Sequence, residues 1–238
     1  MSTSLPKISL WARIINLLAP RQCAVCGRRL EPHEDIVCAL CNLNLPRTNY
    51  AQTPYDNEMA QLFWGRAPIE RCAALLHYQA AAPASVLLYR LKYGNQPDLG
   101  LDLGLLMGKE LLPTGFFEGI DFIVPVPLSR QRARQRGYNQ SEMLAQGIAQ
   151  ATGLKMRRGL IRRIVNTGTQ THKDRWERAD NVNNAFKLTG KLPKEGCHVL
   201  FVDDVVTTGA TLCACMACLS GFPGVKVSVL SVGIAQTR

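Results

Sequence analysis

The chain has 238 residues, 47% of them hydrophobic, and carries 28 Lys and Arg against 18 Asp and Glu, a formal charge of +10. That length supports one α/β domain plus a small module, and the basic excess points to an anionic partner, either a phosphate-rich ligand or nucleic acid. No run reaches the ~18 apolar residues that a membrane helix needs, so a transmembrane segment is excluded, and no internal repeat or low-complexity segment is evident.

In chain order, residues 8–19 are apolar but broken by Arg13 and Asn16, and Pro20 follows. This predicts a short amphipathic helix, able to pack on the domain or touch a partner. No small-residue cleavage site follows it, so a signal peptide is not expected. The expected compartment is cytoplasmic, where thiols stay reduced. Cys23, Cys26, Cys38 and Cys41 then form two Cys-x2-Cys pairs separated by eleven residues. Each pair sets two thiolates on one knuckle, and two knuckles complete a tetrahedron for a structural zinc with no open position. Gly27 eases the first turn, and His33 is not needed as a ligand. The alternative is disulfide pairing, which a reducing compartment disfavours. Residues 1–50 are therefore expected to hold the helix and metal module, 51–68 a proline-containing linker, and 69–238 the main domain.

Within the main domain, strands are predicted at 69–78, 122–126, 160–165, 184–188, 199–202 and 225–233. Helices are predicted at 84–93, 99–112 and 141–151, the last with Asn139 as cap and Gly153 beyond its end. Cys213, Cys215 and Cys218 lie on a further helix and read as packing residues rather than as a redox or metal site. Strands alternating with helices predict an α/β fold, with a mostly parallel central sheet and helices on both faces.

Three polar stretches carry the chemistry. Pro125-Val-Pro127 leads into a segment holding Arg130, Arg132, Arg134 and Arg136. Guanidinium groups bind phosphate oxygens in pairs, and the amides around Ser129 and Arg130 are further donors. Alone this reads as a solvated basic loop; beside a second phosphate site it reads as an anion cradle. Residues 167–182 are polar and charged, the pattern of either a lid or an ordinary surface loop. The third stretch is Val199-Leu-Phe-Val-Asp-Asp-Val-Val-Thr-Thr-Gly-Ala-Thr211. A buried parallel strand ends in Asp203 and Asp204, and Val205 and Val206 lead into a Thr-rich loop before a helix. Ligands of open α/β sheets sit outside the carboxyl ends of strands. Gly209 admits a phosphate close to the backbone. Thr207, Thr208, Thr211 and the amides through Ala210 donate to it, helped by the helix dipole. The two acids accept from sugar hydroxyls. The pattern is a ribose-5-phosphate site; the bland alternative is a capped strand–turn–helix.

The third stretch resembles the phosphoribosyl pyrophosphate (PRPP) motif of type I phosphoribosyltransferases. Together with Cys23 to Cys41, Leu91-Lys-Tyr-Gly94, Pro125-Val-Pro127, Arg136-Gly-Tyr-Asn-Gln140, Gln170, Arg178 and Asn181, the chain resembles the ComF/GntX family. That resemblance implies a type I phosphoribosyltransferase-like domain behind a zinc-ribbon-like module, and a link to DNA uptake or utilisation. It implies that Asp203 and Asp204 hold the ribose and that residues 205–211 with Ser129 and Arg130 hold PRPP with magnesium, while a lid over 167–182 would bring Lys173, Arg175 or Arg178 to the leaving group. The glutaminase domain of related amidotransferases is absent and position 2 is Ser2, so ammonia generation from glutamine is not expected. Three functions fit: a phosphoribosyl transferase, a non-catalytic PRPP or nucleotide sensor, and a zinc-containing adaptor for DNA or the uptake machinery.

Overall fold

Continuous apolar runs build the centre of the main domain. In the computed structural model, which describes residues 21–80, 82–164 and 185–235, these runs lie in β1 (Arg71–Tyr78), β2 (Phe122–Pro125), β6 (His198–Val206) and β7 (Lys226–Ala235), and the short β3 (Lys155–Met156) adds an edge. They form one parallel sheet in the order β1-β7-β6-β2-β3. The expected segments at 8–19 and 167–182 lie outside the described residues.

Every residue of β2 is buried, and so is each residue of β7 from Val227 to Ile234. Successive side chains of a strand point to opposite faces, so unbroken burial means that both faces are covered. This is the α/β fold with a parallel central sheet that the alternation of strands and helices predicts. The strands expected at 160–165 and 184–188 stand apart. As β4 (Ile161–Arg163) and β5 (Phe186–Leu188) they pair antiparallel in a separate two-stranded sheet.

The chain divides into two units between Leu45 and Pro46. The first contains the cysteine knuckles and α1 (Ala39–Leu43). The second begins with a stretch tied to β1. There α2 (Glu58–Gln61) is capped by Asn57, whose Oδ1 accepts from the Met59 and Ala60 amides. The Asn57 amide group also donates to the Cys72 carbonyl at 2.9 Å. Met59 and Phe63 are fully buried, so residues of the expected 51–68 linker contribute to the core of this unit.

Four longer helices follow, α3 (Pro83–Tyr93), α4 (Pro97–Leu111), α5 (Arg130–Arg136) and α6 (Gln140–Thr152), and α7 (Ala210–Ala217) comes after β6. α3 and α4 both start on proline, whose fixed φ suits a first helical turn. Cys215 is buried in α7, and burial raises the thiols of Cys213, Cys215 and Cys218, which fits packing.

α4 and α6 touch backbone to backbone. A Cβ on Gly104 would lie 2.1 Å from the Leu144 carbonyl oxygen, and one on Gly147 would lie 2.0 Å from that of Leu101. Only glycine permits this approach, and it sets where the N-terminus of α6 meets the sheet. Gly104→Ala is expected to lower stability by about 1–3 kcal/mol through overpacking, measured by urea unfolding. In an uncrowded helix the same change would be neutral or stabilising, and that result would refute the close packing.

Candidate functional site

The two acids lie within a strand rather than after it. β6 runs four residues beyond the expected end at Val202, because β7 continues beside it: Asp203 faces Ser231, Val205 faces Gly233 and Val206 faces Ile234. The carboxylates thus sit at the carboxyl end of β6, where β7 still pairs with Asp203, Val205 and Val206. Asp203 Oδ1 accepts from the Ser141 hydroxyl at 3.0 Å and from the Asp204 amide at 2.9 Å. Asp204 Oδ1 accepts from the Val205 amide at 2.7 Å. Its Oδ2 lies 3.6 Å from Lys92 Nζ and 3.6 Å from an Arg136 guanidinium nitrogen. Burial, and then the adjacent Asp204 charge, push Asp203 up to about 7.

The Arg-rich stretch is not a loop. It folds as α5, a seven-residue helix whose N-cap is Ser129, with the Ser129 hydroxyl oxygen accepting from the Arg132 amide at 3.2 Å. Gly137 ends it in the left-handed region at φ 76°. Arg132 and Arg134 are exposed, whereas the Arg136 side chain, at the last turn, reaches inward to Asp204. Arg136 donates to Gln140 Oε1 at 2.8 Å and lies 5.6 Å from the centre of the Tyr93 ring. Asn139 caps α6 and donates to the Val126 carbonyl at 3.1 Å, tying the helix start to the end of β2. Tyr138 Oη donates to the Leu91 carbonyl at 2.5 Å, which holds the end of α3 beside the same turn. Arg130 opens α5, and its side chain lies outside the described residues, as does Arg178.

Past β6, Thr207 and Thr208 are exposed and Gly209 caps α7 at φ 70°. A side chain at Gly209 would also meet Phe63, 2.8 Å from Cε1. Ala210 and Thr211 form the first turn of α7, with Thr211 exposed. Val206 is core, 2% exposed, so any contribution to a ligand comes from its backbone. The Arg66 guanidinium donates to the Thr208 carbonyl at 2.6 Å and to the Leu62 carbonyl at 2.9 Å, bracing the loop from the stretch before β1.

Of the expected residues, Asp203, Asp204 and the 205–211 loop form one continuous edge. Lys92, Ser141, Phe63 and Arg66 are additions. Lys92 carried a signal, since it stands in the Leu91-Lys-Tyr-Gly94 motif. Phe63 and Arg66 carried none, because their roles depend on how the stretch before β1 folds back. Adjacent carboxylates flanked by two cations, beside a Gly-containing turn at a helix start, offer acceptors to hydroxyl groups and donors to anionic oxygens.

In the first unit the four cysteine sulfurs lie within 4.8 Å of one another. Cys26 and Cys38 sulfurs are 3.8 Å apart, too far for a disulfide bond and matching the ~3.8 Å edge of a tetrahedron with ~2.3 Å metal–sulfur bonds. The Cys38 amide donates to Cys23 Sγ at 3.3 Å. Burial opposes the Cys23 thiolate, yet amides of Cys26, Cys38 and Val25 outweigh it and bring the thiol down to about 6. Burial, and then hydrogen bonding with the other three sulfurs, raises Cys41. The cluster fits a single metal ion.

Curated proteins similar to this chain include the DNA utilization protein YhgH of Salmonella typhi, 33% identical over 198 residues and 80% of each chain. Competence protein F of Haemophilus influenzae is 32% identical over 136 residues, 55% of this chain and 58% of the other. Among solved structures, an adenine phosphoribosyltransferase aligns with 58% of this chain and 71% of its own, at 18% identity and a TM-score of 0.34. No protein-family model matches the chain.

Asp203 gives a pH signature. The folded protein keeps a proton that an unfolded carboxyl, at 3.8, has released, so this group lowers stability as pH rises from about 4 to about 7. Asp203→Asn is expected to melt at or above the wild-type temperature at pH 8, with a shallower slope below pH 7. A lower melting temperature at pH 8 would contradict the buried, like-charge environment.

Proposed function

Since this chain belongs to the ComF/GntX family, alongside DNA utilization protein YhgH and competence protein F, we propose that it is a phosphoribosyltransferase-like protein of DNA utilisation whose carboxyl-edge site binds PRPP or a nucleotide. The observation that carries the reading is Asp203 and Asp204 at the end of β6, with Lys92 and Arg136 on Asp204 and the Gly209 turn just beyond.

In this reading the acids accept hydrogen bonds from the ribose hydroxyls. The backbone and hydroxyls of 207–211 hold the 5-phosphate at the start of α7. A ligand whose sugar takes up Asp204 frees Lys92 and Arg136, both poised within 3.6 Å of Oδ2, to meet pyrophosphate oxygens. In the transfer itself an acceptor forms a bond to the anomeric carbon as the bond to pyrophosphate oxygen breaks, and pyrophosphate leaves with the electron pair. Positive charge grows on the ribose ring, where Asp203 and Asp204 stabilise it. Magnesium, bound with the donor, would neutralise pyrophosphate oxygens through few protein ligands. Ser129 and Arg130, on the turn into α5, and Arg178 are proposed to complete the pyrophosphate side. The four cysteines are proposed to hold a structural zinc, and the protein is proposed to act in the cytoplasm.

Calorimetric titration with PRPP and magnesium is expected to show binding that Asp203→Asn plus Asp204→Asn weakens at least tenfold. Unchanged affinity in that variant would overturn the site. Pyrophosphate release across a panel of bases and amines is expected with at least one acceptor; binding without release on the whole panel identifies a sensor. Purified protein is expected to carry one zinc per chain, lost on Cys38→Ser. Equal zinc content in the variant would remove the metal assignment.

A further inference from the structure

The stretch before β1 holds the turn after β6 through two side chains. Phe63, fully buried, stands where the Cβ of any other residue at 209 would go, with its Cε1 2.8 Å from that position. An aromatic ring thereby closes one side of the Gly209 Cα. Arg66 meets the same turn through a single atom: Nη1 donates to the Thr208 carbonyl at 2.6 Å and to the Leu62 carbonyl at 2.9 Å. Leu62 lies four residues before Arg66, so the guanidinium is fixed on its own backbone as it reaches a residue 142 positions away. Phe63 and Arg66 share one tight turn, in which the Arg66 and Ala67 amides both donate to the Phe63 carbonyl, at 2.9 and 3.0 Å.

That turn is anchored in the core. Asn57 caps α2 and ties it to the Cys72 carbonyl of β1. Met59 is fully buried, with its sulfur 4.0 Å from the Ser231 hydroxyl, and Ser231 faces Asp203 across the ladder. One short segment therefore touches both the strands beside the acids and the turn beyond them. The Arg66 bond also has a consequence for the donors of that turn. In a planar trans peptide the carbonyl and the following N–H point in opposite directions. Fixing the Thr208 carbonyl on Arg66 aims the Gly209 N–H away from Arg66. That amide stands at the start of α7, where an anion is favoured. A charged donor also holds a carbonyl more firmly than a neutral one.

We infer that Arg66 is a positioning residue for the 5-phosphate: by pinning the Thr208–Gly209 peptide it presets the amide that receives the phosphate, and so governs affinity at that end of the donor alone. The inference rests on the reading of 207–211 as the 5-phosphate turn. Arg66 acts through the backbone and needs no contact with the ligand. A turn whose amide is already aimed loses less conformational freedom when the phosphate arrives.

The test compares the full chain with Arg66→Ala, a truncation at an exposed position that leaves no buried cavity. In hydrogen exchange without ligand, the amides of 207–211 are expected to exchange at least fivefold faster in the variant, while β6 up to Val202 and β7 keep their protection. In calorimetric titration, PRPP with magnesium is expected to bind the variant at least fivefold more weakly. Magnesium pyrophosphate, which has no 5-phosphate, is expected to stay within twofold of wild type. Unchanged exchange at 207–211, unchanged PRPP affinity, loss of protection throughout the sheet, or equal weakening of PRPP and pyrophosphate would each overturn the inference. Failure of the wild type to bind PRPP would instead overturn the reading of the turn as a phosphate site, and the exchange without ligand still reports whether Arg66 holds it.

Discussion

Two neighbouring carboxylates at the end of a buried strand repel each other and resist desolvation, and the surroundings of Asp203 and Asp204 answer that constraint. Asp204 is balanced by Lys92 from α3 and Arg136 from α5. Asp203 has no cation at comparable distance among the ion pairs of the described residues; it has the Ser141 hydroxyl, the Asp204 amide and a carboxyl driven up to about 7. The asymmetry divides the pair. Asp204 is the partner paired with two cations. Asp203 is the enclosed partner, and burial together with the neighbouring acid favours its neutral form. This arrangement requires the ends of β6 and α3 and the turn between α5 and α6 to meet at one point.

The packing that secures this meeting is mostly remote from the acids. The glycine contacts of α4 and α6 bring those helices close enough to fix the position of the α6 N-terminus, where Ser141 sits. Tyr138 and Asn139, on the turn before that helix, bond to the Leu91 and Val126 carbonyls and so tie α3 and β2 to the same corner. On the other side, Phe63 and Arg66 support the Gly209 turn from the stretch before β1. A substitution far from the acids can therefore alter the site by moving one of these supports, without changing a residue that touches a ligand.

Much of this was legible in the chain. The apolar run before Asp203, the acid pair, the Thr-Gly turn and the Cys-x2-Cys spacing each depend on neighbours close in sequence, and each appears where expected. The Arg-rich stretch reads as a loop because its charge hides a short helix: Ser129 caps it, Gly137 stops it, and Arg136 turns inward at its end. The end of β6 was placed early because acids are poor strand formers, and only the ladder to β7 keeps them extended. The expected strand at 184–188 pairs with β4 because a short run cannot declare which sheet it will join.

By itself the sequence determined the chemistry available: an acid pair and a Thr-Gly turn on a strand end, a metal-competent quartet of sulfurs, and a basic excess suited to an anionic ligand. These are local properties, set by residue type and spacing. Which of the many cations faces the acids was decided by the tertiary structure. Ion pairing depends on distance, and distance here follows from strand order and helix contact rather than position along the chain. That is why Lys92 and Arg136, rather than Arg132 or Arg134, stand at Asp204.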